Sequence, residues 1–501
     1  MLGFTVPEID KIIIPYAEKS FKKYKAEFYD VAKSVGCLKD NLEEKANEYA
    51  MSKIKRDMEQ GYQGLEIKLN SVGSSRGDYP FVTFTFGLSD DVFGSMFSKT
   101  MLEVHRKGQG EDGKKRATLF PKLVFLYDKN LHGDKKKLEW LFDEAIMTCS
   151  QTMYPDILSL TGDGGNLTDI YKKYGVVTSP MGCRAFLSPY YERGWDKPAD
   201  DEDIPITVGR WNAGAITLHL PMILAKARQE NKDFYEILDY YLELIRNLHK
   251  RTKAFLGEKK ASTNPLMFCE GGFYKGNLKP EEKIKTIMGY ETYSFGITAL
   301  NELNRLYNGK SIREDGQFPL EVMEYINKKI KEFKEEDGML YAVYGTPAES
   351  LCGKQVEQFR QMYGIVENVS DKEYISNSFH CHVSEDMTTI EKQDSEKRFW
   401  NLFQGGRIQY CKYDIDYNLE AIKTLVRRAM DFGFYEGINL SLSYCNDCGY
   451  KELGMNVCPI CGSDNVTKIE RMNGYLSYSR VKGHTMLNDA KMAEIKDRKS
   501  M

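Results

Sequence analysis

Three features of this 501-residue chain predict an α/β fold. Strand-length runs are β-branched or aromatic, helix-length runs are amphipathic, and the two alternate through most of the sequence. From Pro7 to Gln60 the chain is rich in Lys, Glu, Ala and Tyr. There Pro15 follows Ile12-Ile13-Ile14 where a first helical turn tolerates it, and Ala17, Phe21, Tyr24 and Phe28 share one helical face. Leu65–Asn70 and Tyr79–Phe86 read as strands, the second for its Phe81-Val82-Thr83-Phe84-Thr85-Phe86 core. Val92–His105 and Leu138–Thr152 read as helices around an apolar strand, Leu123–Leu126. Ile206–Leu220 is a strand entering a long helix, Pro221–Phe255, whose part Phe234–Phe255 packs outside the sheet with Leu320–Glu335. Leu340–Val343 and Gly406–Tyr410 return to the sheet, and Leu419–Phe432 is a last amphipathic helix. Residues 1–438 are therefore expected to form one α/β domain and residues 439–501 a small separate module.

Composition narrows the class. Hydrophobic content of 42% and charged content of 29% suit a soluble globular protein, and a chain this long buries a large core. A net charge of −3 with interspersed signs carries no basic footprint, so no nucleic-acid partner is expected. No apolar run approaches the ~18–20 residues that span a bilayer, so no membrane partner is expected. The N-terminus lacks a basic segment followed by an apolar one. A cytoplasmic location follows, in which the eleven cysteines serve as thiols, metal ligands or redox groups and not as disulfides.

Four of those cysteines form Cys445-x2-Cys448-x9-Cys458-x2-Cys461. Two residues between thiolates make a tight turn that aims both sulfurs at one ion, and a glycine follows each pair (Gly449, Gly462). Such a tetrahedral site suits zinc, with iron as the competitor. Soon after comes Arg471-Met472-Asn473-Gly474-Tyr475-Leu476, continued by Ser477-Tyr478-Ser479-Arg480. A lone glycine is ordinarily a turn residue. It is also the one residue whose α-carbon can hold an unpaired electron with no side chain to strain the planar centre.

Knuckles followed by R-x-x-G-Y-L resemble the C-terminus of the anaerobic (class III) ribonucleoside-triphosphate reductases, a glycyl-radical enzyme family. Further stretches carry the resemblance in family order: Met181-Gly182-Cys183-Arg184-Ala185-Phe186-Leu187, Gly209-Arg210-Trp211-Asn212-Ala213-Gly214, Thr346-Pro347-Ala348-Glu349, Ser376-Asn377-Ser378 and Gln404-Gly405-Gly406-Arg407. The resemblance implies a ten-stranded α/β barrel with a radical hairpin carrying Gly474 into its interior, Arg471 and Tyr475 anchoring the neck. It implies Gly474 as the stored radical, Cys183 as the thiyl that attacks substrate, and Asn212 as the residue orienting the ribose. Ser74, Ser75, Arg76, Thr346, Pro347, Ala348, Glu349, Asn377 and Ser378 are implied to line the substrate pocket. Cys445, Cys448, Cys458 and Cys461 are implied to hold a structural zinc.

The partners implied are ribonucleoside triphosphates, a second copy in a homodimer, and a radical-SAM activating protein. That protein would use a 4Fe–4S cluster and S-adenosylmethionine to install the radical. His219 stands where the family usually has asparagine, which leaves its role open. His380 and His382 lie two apart, so a strand would turn both to one side, although packed or solvent-facing histidines are the expectation. Cys269, Cys352, Cys381 and Cys411 are expected to be buried thiols. Family members also carry an N-terminal nucleotide-binding cone and an early barrel cysteine, and neither is found here. Two expectations stand side by side, a separate chain that supplies that part or a truncated or divergent form of the enzyme, and the reductant, formate or a dithiol protein, stays open. The alternatives are another glycyl-radical enzyme, of the lyase or dehydratase type, and a non-catalytic zinc-ribbon interaction protein.

Overall fold

A computed structural model of the chain describes residues 3–36, 41–71, 81–413, 415, 418–481, 484–485 and 487–500. Four strands, β1 (Gly3–Val6), β2 (Phe81–Phe86), β3 (Lys122–Tyr127) and β4 (Asp156–Ser159), run parallel in that order. Every residue of β3 and β4 is buried, as in parallel strands covered on both faces. A second set holds β5 (Asn212–His219), β6 (Thr292–Thr298) and β7 (Leu340–Gly345), also parallel. The strands β8 (Gln409–Lys412) and β9 (Tyr435–Asn439) pair in parallel, and β9 runs antiparallel to β4 through Ile157 and Glu436. A parallel bridge from Tyr344 to Gly406 ties β7 to the segment entering β8. Two half-sheets of opposite direction, β1–β4 and β5–β9, thus meet where β4 abuts β9. The space between them is the interior into which the functional loops reach.

Four sequence expectations are corrected. Leu65–Asn70 is not a strand but the end of a helix, Leu42–Ser71. Ala46, Ala50, Ile54, Met58, Tyr62 and Glu66 recur every fourth residue on its buried side, a helical period that a six-residue window conceals. The long helix from Pro221 is two helices, Leu220–Glu230 and Phe234–Gly257. Asn231 turns left-handed (φ 53°) between them, and the Asp233 carboxylate accepts from the amides of Tyr235 and Glu236 to start the second. The strand expected from Ile206 begins only at Asn212, because the guanidinium of Arg210 pins the preceding loop by donating to the carbonyls of Ser188, Ile206 and Tyr290. The strand expected over Gly406–Tyr410 shifts to Gln409–Lys412. Gly405 and Gly406 are spent on a close approach instead: a β-carbon on Gly406 would lie 2.0 Å from the Tyr344 ring.

No strand carries His380 and His382. His380 Nδ1 pairs with Glu396 at 2.9 Å, and His382 Nδ1 with Ser384 Oγ at 2.7 Å. Cys352, Cys381 and Cys411 are buried, and Cys269 is half-buried.

The C-terminal strands β10 (Leu442–Cys445), β11 (Lys451–Leu453), β12 (Val466–Met472) and β13 (Tyr475–Arg480) form an antiparallel sheet ordered β11-β10-β12-β13. Cys445, Met455, Cys458 and Val466 make a small core of their own, while Leu442, Tyr444, Ile469, Tyr475 and Leu476 join the main one. A final helix, Asp489–Asp497, packs against the helix Leu351–Tyr363. Among the described residues no helix is long and apolar enough to cross a membrane.

Candidate active site

Strands β12 and β13 form a hairpin in which Met472 faces Tyr475, leaving Asn473 and Gly474 as its two-residue tip. Asn473, not Gly474, takes the left-handed conformation the turn requires (φ 75°). The glycine answers a different need. A β-carbon on Gly474 would stand 2.2 Å from Cβ and 3.2 Å from Sγ of Cys183. With a C–C bond of ~1.5 Å, the α-carbon of Gly474 lies within about 4.7 Å of that sulfur. Any side chain here would displace the Cys183 backbone.

Cys183 sits on a tight loop closed by reciprocal hydrogen bonds between Met181 and Ala185, with Gly182 left-handed at φ 58°. Hydroxyls from the first half-sheet hold one side of this loop: Thr5 Oγ1 donates to Pro180 O (2.7 Å) and Thr83 Oγ1 to Gly182 O (3.2 Å). Ala185 bridges to Gly406 on the other side. The loop is thereby suspended between the half-sheets. Cys183 is 7% exposed, and burial pushes its thiol up from its ordinary value. At neutral pH the sulfur therefore keeps its hydrogen, which suits a hydrogen-atom donor and not a thiolate nucleophile.

Arg471 and Tyr475 hold the neck of the hairpin. The fully buried Arg471 guanidinium donates to Asp156 Oδ1 (2.9 Å) and to the carbonyls of Met153 (2.9 Å) and Ile438 (3.0 Å). The Tyr475 ring packs on Phe81 and Phe120 at 4.8 and 5.8 Å. Two further groups reach the tip. Lys122, on β3, donates to Gly474 O at 2.6 Å. Lys491, on the last helix, donates to Asn473 Oδ1 at 3.3 Å and pairs with Glu494, which Arg498 also contacts.

The other candidate residues fall into two groups. Asn377 and the loop after β7 border the tip: Asn377 Nδ2 donates to Asn473 Oδ1 (3.4 Å), and Asn473 Nδ2 donates to Pro347 O. Arg184 Nη1 donates to Asn377 Oδ1 (3.1 Å), while Ser378 Oγ lies 2.1 Å from where a β-carbon on Gly345 would be. Thr346 Oγ1 shares a hydrogen bond with Thr217 Oγ1 (2.9 Å), and Ala348 is buried and left-handed (φ 54°). Burial pushes the Glu349 carboxyl up, with the Lys491 and Arg184 cations pulling against it. Asn212 stands apart, donating to Ser294 Oγ (2.6 Å) and accepting from the Gly214 amide (2.9 Å). Among the described residues it shares no hydrogen bond with Cys183. His219 packs edge-on against Phe359, and burial lowers its imidazole to about 3, so the ring is neutral. Ser74, Ser75 and Arg76 lie outside the described residues.

The four knuckle sulfurs converge. They lie within 4.8 Å of one another, with Cys445–Cys461 and Cys448–Cys458 at 3.5 Å. A tetrahedron of thiolates ~2.3 Å from zinc has edges of roughly 3.8 Å, so the donor set fits such an ion. Bound there, a metal would cross-link a module whose own core is only a few residues.

Sequence reading missed Lys122, Asp156 and Lys491. The signal for Lys122 was a lone cation heading the apolar run Leu123-Val124-Phe125-Leu126. A buried ammonium needs a compensating partner.

A thiol set against a backbone glycine inside two opposed half-sheets defines a class, the barrel-type α/β enzymes of the glycyl-radical kind. In fold, the chain is similar to the anaerobic ribonucleotide reductase of Thermotoga maritima with dATP in its specificity site (TM-score 0.64, 15% identity, 95% of this chain and 73% of that one). It is also similar to the B12-independent glycerol dehydratase of Clostridium butyricum (TM-score 0.51, 11% identity, 88% and 60%). The model of the anaerobic ribonucleoside-triphosphate reductase family matches residues 3–501, and the chain belongs to that family of oxidoreductases. Relatives bearing the family's name are 30% identical in Haemophilus influenzae (99% of this chain, 68% of the relative) and 30% identical in Enterobacteria phage T4 (97% and 77%).

Proposed function

We propose that this chain reduces ribonucleoside triphosphates to deoxyribonucleoside triphosphates, with Gly474 storing a radical and Cys183 delivering it. The observation that carries this reading is the approach of the Gly474 α-carbon to the Cys183 sulfur. A separate radical-SAM activating protein, using a 4Fe–4S cluster and S-adenosylmethionine, removes one α-hydrogen from Gly474. Cys183 then gives its S–H hydrogen to Gly474 and becomes a thiyl. An S–H bond is close in strength to a ribose C–H bond, so the thiyl takes the 3′-hydrogen of the substrate nearly without loss and reversibly. The 2′-hydroxyl leaves as water, an external two-electron reductant refills the 2′-position, and Cys183 returns its hydrogen to C3′.

Asn212 orients the ribose, and the 346–349 loop with Asn377 and Ser378 forms the adjoining wall. The four knuckle cysteines hold a structural zinc that fixes the path of the chain into β12. Burial serves both radical sites, since water and oxygen would quench either one. The protein supplies orientation and exclusion of solvent, and the radical supplies the chemistry.

The test is anaerobic activation followed by an assay for deoxyribonucleotide from a ribonucleoside triphosphate. Product that depends on the activating protein and on the triphosphate is the expected result. A folded, activated chain that makes none when given both formate and a dithiol protein, with any adjacently encoded fragment also added, counts against the reading.

A further inference from the structure

Lys122 is fully buried. Desolvating an ammonium costs several kcal/mol unless its charge and all its hydrogens find partners. An ammonium has three hydrogens to donate, and Lys122 Nζ has three acceptors: Asp156 Oδ2 at 2.7 Å, Gly474 O at 2.6 Å and Cys183 O at 3.2 Å. The rings of Tyr154, Tyr435 and Tyr475 surround it at 5.8, 5.3 and 5.7 Å, a distance at which aromatic faces attract a cation. Asp156 is shared with Arg471. Two cations and one carboxylate therefore leave an excess of positive charge directed at the Gly474 peptide. Burial holds the Lys122 ammonium below its ordinary value, the Asp156 carboxylate opposes that pull, and the Arg471 cation adds to it.

One nitrogen thus grips the backbone of both reacting residues. The carbonyl it holds at Gly474 is also the one over which an electron on that α-carbon would spread. A cation on the oxygen lowers the energy of the carbonyl π* orbital and draws spin away from the α-carbon. Resting on the assignment of Gly474 and Cys183 above, we propose that Lys122 is the positioning residue of the radical relay, fixing the separation of the two peptides and polarising the Gly474 carbonyl to stabilise the glycyl state. Asp156 is its counterpart, holding the ammonium in place and sharing its charge.

The experiment is electron paramagnetic resonance of the anaerobically activated full chain, with steady-state kinetics, for the unmodified protein, Lys122→Met and Asp156→Asn. Lys122→Met keeps the length of the side chain and deletes the ammonium. It should still give a Gly474 doublet, but with a wider α-proton splitting, because more spin stays on the α-carbon. Its kcat should fall by about 100-fold, the effect of a displacement near 1 Å between reacting groups, with KM little changed. A purely structural role would lower signal amplitude and kcat together at unchanged splitting, and that result overturns the proposal. Should Lys122→Met not fold, Asp156→Asn decides. Taking away the carboxylate that holds the ammonium in place and keeps it charged weakens its hold on Gly474 O, so its splitting should also widen, and an unchanged splitting overturns the proposal. An unmodified chain that gives no glycyl doublet removes the radical assignment itself, before either variant is read.

Discussion

Cys183→Ala is expected to abolish turnover while leaving the radical on Gly474 intact. If the thiol passes the radical to substrate, its loss removes the whole catalytic route. The rate should then fall by at least ~10⁶-fold, the low end of enzymic accelerations. Gly474 keeps its hydrogen-bonded position, because Lys122 holds the backbone carbonyl of residue 183 and not its sulfur. Activation should thus give a doublet of undiminished intensity. The bland alternative treats Cys183 as a small buried hydrophobe. On that view alanine costs about 1 kcal/mol of stability and leaves kcat nearly unchanged. Anaerobic kinetics and a spin count on one preparation separate the two.

Arg471→Met should destabilise the chain by about 3–5 kcal/mol, the penalty for breaking a buried ion pair. The guanidinium donates to Asp156, Met153 O and Ile438 O with no exposure to solvent. Methionine fills the volume and satisfies none of them. The loss falls where β12 crosses β4 and β9, so the hairpin should leave the interior before the half-sheets melt. Denaturant unfolding followed by the fluorescence of the barrel tryptophans reads the global loss. Limited proteolysis near residue 474 reads the local one. Arg471→Lys should recover only part, since a lysine cannot span the same planar set of acceptors.

How much of this was legible in the sequence differs by element. The β2 strand stands out because β-branched and aromatic residues fill its six positions, β3 because Leu123–Leu126 is an unbroken apolar run, and the knuckles because two C-x2-C pairs leave little room for another reading. Leu65–Asn70 was misread because strand-like composition over six residues hid a four-residue period that starts at Ala46. Gly474 could be located by its motif, yet the physical reason for it could not. The turn conformation falls to Asn473, and the glycine is demanded by a cysteine nearly three hundred positions away in the chain. Lys122, Asp156 and Arg471 are likewise far apart in sequence, and only the packing of β3 and β4 against the hairpin brings them to one point. Asn212 illustrates the opposite limit, a motif residue whose hydrogen bonds stay within its own half-sheet.

Substituting Gly474 is an ambiguous control, because an added β-carbon collides with Cys183 at 2.2 Å and would disturb the site whatever the glycine does. Isotopic labelling avoids the collision. The chain should be produced with α-deuterated glycine, activated without oxygen, and examined by electron paramagnetic resonance. The doublet of unlabelled protein should collapse to a near-singlet, since its splitting comes from the one hydrogen left on the Gly474 α-carbon. A spectrum unmoved by the label, or no radical at all in an activated folded chain, would contradict the assignment of the radical to Gly474.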